Sequence, residues 1–233
     1  MKLYHPSGVN IMKITIVVPV YNEEKYIKDV IKDLRGTGYP LIVVDDGSED
    51  KTPFILSRLR GKNITVATHK VNLGKGAAMK TGAILAFNKG ADALVFIDSD
   101  SQHKVADLNG FISALEAGSE IVYGSRNMGM GMPFIRYVGN KAASIFVNIL
   151  FGVYVSDILC GFRAITRKAY KKTKWDSSGY AVEAEMVIRA AKARIPFREV
   201  PVATVYHDSF KGVTLLDAFG ILNDVIRWKV TLG

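Results

Sequence analysis

Residues 14–35 read ITIVVPVYNEEKYIKDVIKDLR, and within them the hydrophobic period changes once. Residues 14–18 form a short β-branched apolar run, as in a strand covered on both faces. From Glu24 onward Ile27, Val30, Ile31 and Leu34 recur with helical spacing. Strand then helix is the unit, and it repeats. Residues 41–44 read as a second buried strand and 52–59 as a second helix. Residues 64–67 lead into a helix over Lys75–Asn88, and strands at 93–97 and 121–123 flank a helix near 107–116. This alternation predicts an α/β fold: a mostly parallel sheet with right-handed crossovers and helices on both faces. Ligands of such sheets sit beyond the carboxyl ends of the strands.

After Arg126 the character changes. Residues 127–132 (NMGMGM) read as a glycine-rich loop and 134–154 as a long, mostly apolar helix. Strands are expected at 161–166 and 198–206, with a helix over 182–193 between them. Residues 213–230 read as a C-terminal amphipathic helix, suited either to core packing or to a membrane interface. With no linker or repeat, one domain over 1–233 is expected. Residues 12–126 would form its first half and 127–211 its second.

Composition bounds the function. At 48% hydrophobic and 23% charged, the 233 residues exclude disordered, collagen-like and disulfide-scaffold classes. Lys and Arg number 31 against 22 Asp and Glu, and the net charge of +9 favours anionic partners. Cys160 is the sole cysteine, so no internal disulfide forms and a reducing compartment is expected. The residues after Met1 lack the apolar core of a signal peptide, with Met12 as an alternative start. No stretch approaches the roughly 18 apolar residues of a spanning helix. The expected location is cytoplasmic, with at most peripheral membrane attachment.

The chemistry-bearing residues cluster where the strands end. After the first strand come Pro19, Tyr21 and Glu23, an aromatic and an acid able to meet a base and a ribose. Asn22 as a helix cap would explain the same segment. After the second come Asp45 and Asp46, adjacent carboxylates that repel without compensating donors or cations. After the fourth come Asp98-Ser99-Asp100-Ser101-Gln102-His103. Asp-x-Asp sets two carboxylates on one side of an extended segment, and hard oxygen donors suit Mg²⁺ or Mn²⁺. Residues 72–78 (NLGKGAA) open a helix, where glycines and Lys75 suit either an anion or close packing. Acids at three strand ends argue against nucleic-acid binding.

In this order VVPVYNEE, VDDGS, NLGKGAA, DSDSQH and GSR resemble the family 2 glycosyltransferases of GT-A fold. Residues 157–163 (DILCGFR) narrow the resemblance to dolichyl- and polyprenyl-phosphate sugar synthases. The resemblance covers residues 14–211. It implies that Pro19, Tyr21, Glu23, Asp45, Asp46, Lys75, Asp98 and Ser99 bind the nucleotide sugar. It implies Mg²⁺ or Mn²⁺ on Asp98, Asp100 and Gln102. Arg126, Arg136, Arg163, Ser209 and Lys211 would hold the acceptor phosphate, and Asp100, Asp157 and Arg126 would carry catalysis. Glu183 and Glu185 resemble an acidic position of the family, and either could face the site.

The implied reaction is inverting, metal-dependent transfer of a hexose to dolichyl or polyprenyl phosphate at the cytoplasmic membrane face. UDP-glucose or UDP-N-acetylglucosamine is favoured as donor over GDP-mannose. Relatives often continue into membrane helices, so attachment here would come from amphipathic surfaces, a separate membrane subunit or a homo-oligomer. One alternative is extension of a polysaccharide or glycolipid, with Glu183 or Glu185 as base. Another is a non-catalytic nucleotide- or lipid-phosphate-binding subunit.

Overall fold

The computed structural model describes residues 12–59, 61–126, 134–204 and 215–231, the side chains of 134–136 and 215–219 excepted. In chain order the elements are β1 (Ile14–Val20), α1 (Ile27–Arg35), β2 (Leu41–Asp45), α2 (Thr52–Arg58), β3 (Ile64–Thr68) and α3 (Lys75–Asn88). Then come β4 (Ala93–Phe96), α4 (Leu108–Glu116), β5 (Ile121–Arg126) and α5 (Phe134–Phe151). The chain continues through β6 (Arg163–Thr166), α6 (Arg167–Thr173), α7 (Val182–Lys192), β7 (Phe197–Val202) and α8 (Leu215–Thr231).

The strands form one sheet in the order β3-β2-β1-β4-β6-β5-β7. β1 to β4 pair in parallel, as do β5 and β7, while β6 runs antiparallel between β4 and β5. Alternate side chains of the central strands enter different cores. Val17, Ile42 and Val44 face α3, α5, α7 and α8, whereas Ile16, Val18, Leu41 and Val43 face α1 and α4. Both faces are therefore covered, which is why these strands read as continuous apolar runs.

Register fixes what lies at the sheet's functional edge. Val20 pairs with Asp45, Val17 with Phe96, and Arg163 of β6 faces both Phe96 and Tyr123. The carboxyl ends of β1, β2, β4 and β5 thus share one edge with the start of β6. Every strand-end motif of the sequence meets there. α6, with its run of lysines in RKAYKKT, has no counterpart among the expected elements. Among the described residues no helix is long and apolar enough to cross a membrane.

Candidate active site

The first two strand-end loops lock together through backbone donors. Asn22, at φ 53°, accepts from Glu49 N at 2.8 Å, while its own N–H donates to Ser48 Oγ at 2.9 Å. Glu24 N donates to Asp50 at 3.0 Å, and Glu23 N to Thr52 Oγ1 at 2.9 Å. Burial opposes ionisation of Asp50, but the hydrogen bonds from Thr52 and from Glu24 N win and lower its pKa. Tyr21 stands 40% exposed beyond β1, and Pro19 pairs with Val44 just inside the edge. Glu23 is buried.

Asp45 and Asp46 part company. Asp45 is fully buried; one oxygen accepts from Ser48 N at 3.1 Å, and Oδ2 has no hydrogen-bond partner among the described residues. Asp46 instead pins the segment leading into α3. It takes His69 Nδ1 at 2.7 Å, Leu73 N at 3.0 Å and Gly74 N at 2.7 Å. Asp46 thus anchors this loop, with three donors meeting its two oxygens.

The glycines of NLGKGAA serve packing. A Cβ at Gly74 or Gly76 would collide with the carbonyls of Ser178 and Ser177, and Ala77 N donates to Ser178 O at 3.0 Å. That closeness needs glycine, and φ at Gly74 is +96°. Glu185 holds the same loop from below, accepting Asp176 N at 2.8 Å, Ser177 N at 2.7 Å and Arg189 Nε at 2.5 Å. Glu185 is therefore structural, and Glu183 is the acid that faces the site.

Lys75 sits between two carboxylates, 2.7 Å from Asp98 Oδ1 and 2.8 Å from Glu183 Oε1. Burial disfavours its charge, yet Asp98 and Glu183 outweigh that and raise its pKa. Asp98 is likewise disfavoured by burial, but Lys75 and His103 hold it far below the carboxylate range. His103 Nε2 lies 3.7 Å from Asp98 Oδ2, its ring against Phe162 and its backbone bridged to Thr204. Gly161 clears the space for that carboxylate: a Cβ there would collide with Asp98 Oδ2. Ser99 is buried at the same strand end.

Asp100 differs. Its Oδ1 accepts Gln102 N at 3.0 Å, and among the described residues no cation pairs with it. Burial, then the charge of Asp98, raises its pKa. A carboxylate in that condition gains from a cation. No three His, Cys, Asp or Glu side chains converge as a metal cage among the described residues. One or two carboxylates with substrate phosphates are what Mg²⁺-type sites use, so Asp98, Asp100 and Gln102 fit such an ion.

Across the edge, at the end of β5, Asp157 grips Arg126. Arg126 N, Nε and Nη2 donate to it at 3.1, 2.6 and 2.8 Å, and Asp157 is fully buried. Glu199 of β7 steadies this loop, accepting from Ser156 N at 2.8 Å. Arg163 lies inside the protein. It is 0% exposed, donating to the carbonyls of Cys160 and Glu183 at 2.7 Å and to that of Ile158, with Tyr123 against its guanidinium. It knits β6 to α7, and its guanidinium does not reach the surface. The side chain of Arg136, and Ser209 and Lys211 entirely, lie outside the described residues.

Residues 15–174 match the family model described as Glycosyl transferase family 2. The chain belongs to that family. This glycosyltransferase is 32% identical over 241 residues to the UDP-N-acetylglucosamine–dolichyl-phosphate N-acetylglucosaminyltransferase of Methanococcus voltae, covering 93% of this chain and 96% of the relative. It is 29% identical to the polyprenol monophosphomannose synthase of Mycolicibacterium smegmatis, over 80% of this chain and 75% of that one. Its fold is shared with glucosyl-3-phosphoglycerate synthase from Mycobacterium tuberculosis in complex with phosphoglyceric acid. There the TM-score is 0.73 at 20% identity, covering 93% of this chain and 79% of the other.

Proposed function

We propose that this glycosyltransferase moves a hexose or N-acetylhexosamine from a nucleotide sugar to a polyprenyl or dolichyl phosphate, with inversion. The observation that carries the reading is the pairing of two charge centres on one sheet edge. Asp98 and Asp100 stand after β4, and Arg126, clamped by Asp157, ends β5. The names of the two relatives support a lipid-phosphate acceptor, and that of the first supports UDP-N-acetylglucosamine as donor.

The chemistry follows from the charges. Tyr21, exposed just beyond β1, offers a face for the base. A divalent cation bound at Asp98, Asp100 and Gln102 would neutralise charge on the departing diphosphate. Arg126 draws the acceptor phosphate to this edge by its charge, with Asp157 fixing the guanidinium in place. An acceptor phosphate oxygen attacks the anomeric carbon as the bond to the diphosphate oxygen breaks, and the nucleoside diphosphate leaves with the electron pair. The acceptor is ionised near neutral pH, so no side chain removes a proton. A hydroxyl acceptor would need a carboxylate base, but Glu183 and Glu185 are both engaged in ion pairs.

The direct test offers UDP-N-acetylglucosamine, UDP-glucose and GDP-mannose separately, with Mg²⁺ or Mn²⁺ and a polyprenyl phosphate. Transfer from one donor, abolished in Asp100→Ala, is expected. Absence of transfer from all three would overturn the reading.

A further inference from the structure

His69 enters no step of the chemistry above, yet both of its ring nitrogens are engaged. It follows β3, and its side chain is largely buried. Nδ1 lies 2.7 Å from Asp46 Oδ1, and Nε2 lies 2.9 Å from Thr81 Oγ1 of α3. Asp46 also accepts from Leu73 N and Gly74 N, and a carboxylate offers its partners acceptors. Nδ1 therefore carries the hydrogen toward Asp46, and Nε2 meets a hydroxyl that can donate to it. The result is a closed loop. Asp46 holds residue 69 at the start of the β3–α3 connection and residues 73 and 74 at its end. Gly47 seats against the middle, where a Cβ would collide with the backbone of Val71 and Asn72.

We propose that His69 is a positioning residue for the nucleotide-sugar site. Through Nδ1 it fixes Asp46, Asp46 fixes the turn at Leu73 and Gly74, and that turn sets Lys75 against Asp98. The inference rests on the nucleotide-sugar reading above and adds to it a residue that acts through others. Burial does not hold this loop: Val71 and Leu73, its apolar side chains, are 60% and 50% exposed. Polar contacts must hold it instead, and Asp46 supplies them at both ends. Lys75 is the residue directly after the clamp, and its ammonium lies 2.7 Å from Asp98 Oδ1. A shift of the turn is thus passed to Lys75 and to the carboxylate that it meets. Histidine suits the position because its two nitrogens reach Asp46 and Thr81 at once, tying the end of β2 to α3.

The test is calorimetric titration of the full chain with UDP and with GDP, each with Mn²⁺, alongside the Tm of every variant. His69→Asn keeps an amide donor near the place of Nδ1, whereas His69→Gln puts its amide near Nε2 and gives up Asp46. The Asn variant is expected to bind the preferred nucleotide within about threefold of wild type, and the Gln variant at least about tenfold more weakly. A histidine that serves packing alone would lower Tm in both variants and leave their nucleotide affinities equal. Equal affinities therefore overturn the proposal. If the affinities keep the expected order but the wild type transfers sugar to no polyprenyl phosphate, the lipid-phosphate reading falls and the role of His69 stands. A wild type that binds neither nucleotide overturns the nucleotide-sugar reading and this inference together.

Discussion

Arg126 and Asp157 meet through three hydrogen bonds, one from the backbone of Arg126 and two from its guanidinium. The carboxylate is fully buried, so its charge is sustained by this arginine. Removing either partner breaks this buried pair. Asp157→Ala should therefore destabilise the fold by about 3–5 kcal/mol, read from urea unfolding. Asp157→Asn, which keeps shape but not charge, should cost less stability and raise the KM for the phosphate acceptor. An Asn variant with unaltered acceptor KM would show that Asp157 does not orient Arg126 for binding.

Gly161 and Asp98 make a second dependent pair. Gly161→Ala places a methyl where Asp98 Oδ2 now lies, and that carboxylate must leave Lys75 and His103. The variant should fold, because the displaced atom ends a side chain, yet lose at least about tenfold in metal-dependent nucleotide affinity. Calorimetric titration reads this directly. Wild-type affinity would dissociate Asp98 from the metal site.

Glu185 contributes an acid-sensitive part of the stability. Burial pushes its pKa up, but the donors of Ser177, Asp176 and Arg189 prevail and leave it below the ordinary 4.5. The folded state thus binds this proton less readily than the unfolded state. Its stabilisation is complete above about pH 4.5 and fades as pH falls through the lower folded value. Glu185→Gln should lower stability near neutral pH by about 1–3 kcal/mol and flatten the acid limb of urea midpoint against pH.

Arg163 separates a structural role from a ligand role. Arg163→Lys replaces a fork donating to three carbonyls with a single ammonium, and two carbonyls lose their partner. A clear fall in Tm is expected, with acceptor KM unchanged in the protein that remains folded. A raised acceptor KM at unchanged Tm would restore Arg163 to the phosphate site.

How much of this could be read beforehand follows from what a pattern encodes. Buried strands such as 14–18 and 93–96 announce themselves because both faces need apolar residues. Direction is not encoded: residues 161–166 read as another strand, and only register shows β6 reversed between β4 and β5. α6 escaped because its lysines break the periodicity and only Ala169, Tyr170 and Thr173 turn inward. In the site, Asp98 and Asp100 were visible as polar residues at a strand end, whereas Arg126 entered only through the GSR motif of the family resemblance. The partnerships of Lys75 with Glu183 and of Asp46 with His69 join distant parts of the chain, which spacing cannot report. The full burial of Arg163 could not be read from the sequence, because arginine is seldom fully buried.

The central claim is that the acceptor brings its own negative charge and that Arg126 receives it. The most direct measurement compares a polyprenyl phosphate with the corresponding free polyprenol as acceptor, at matched chain length and with the preferred nucleotide sugar. The account predicts transfer to the phosphate alone, with Arg126→Ala raising the phosphate KM. Comparable transfer to the free alcohol would contradict it.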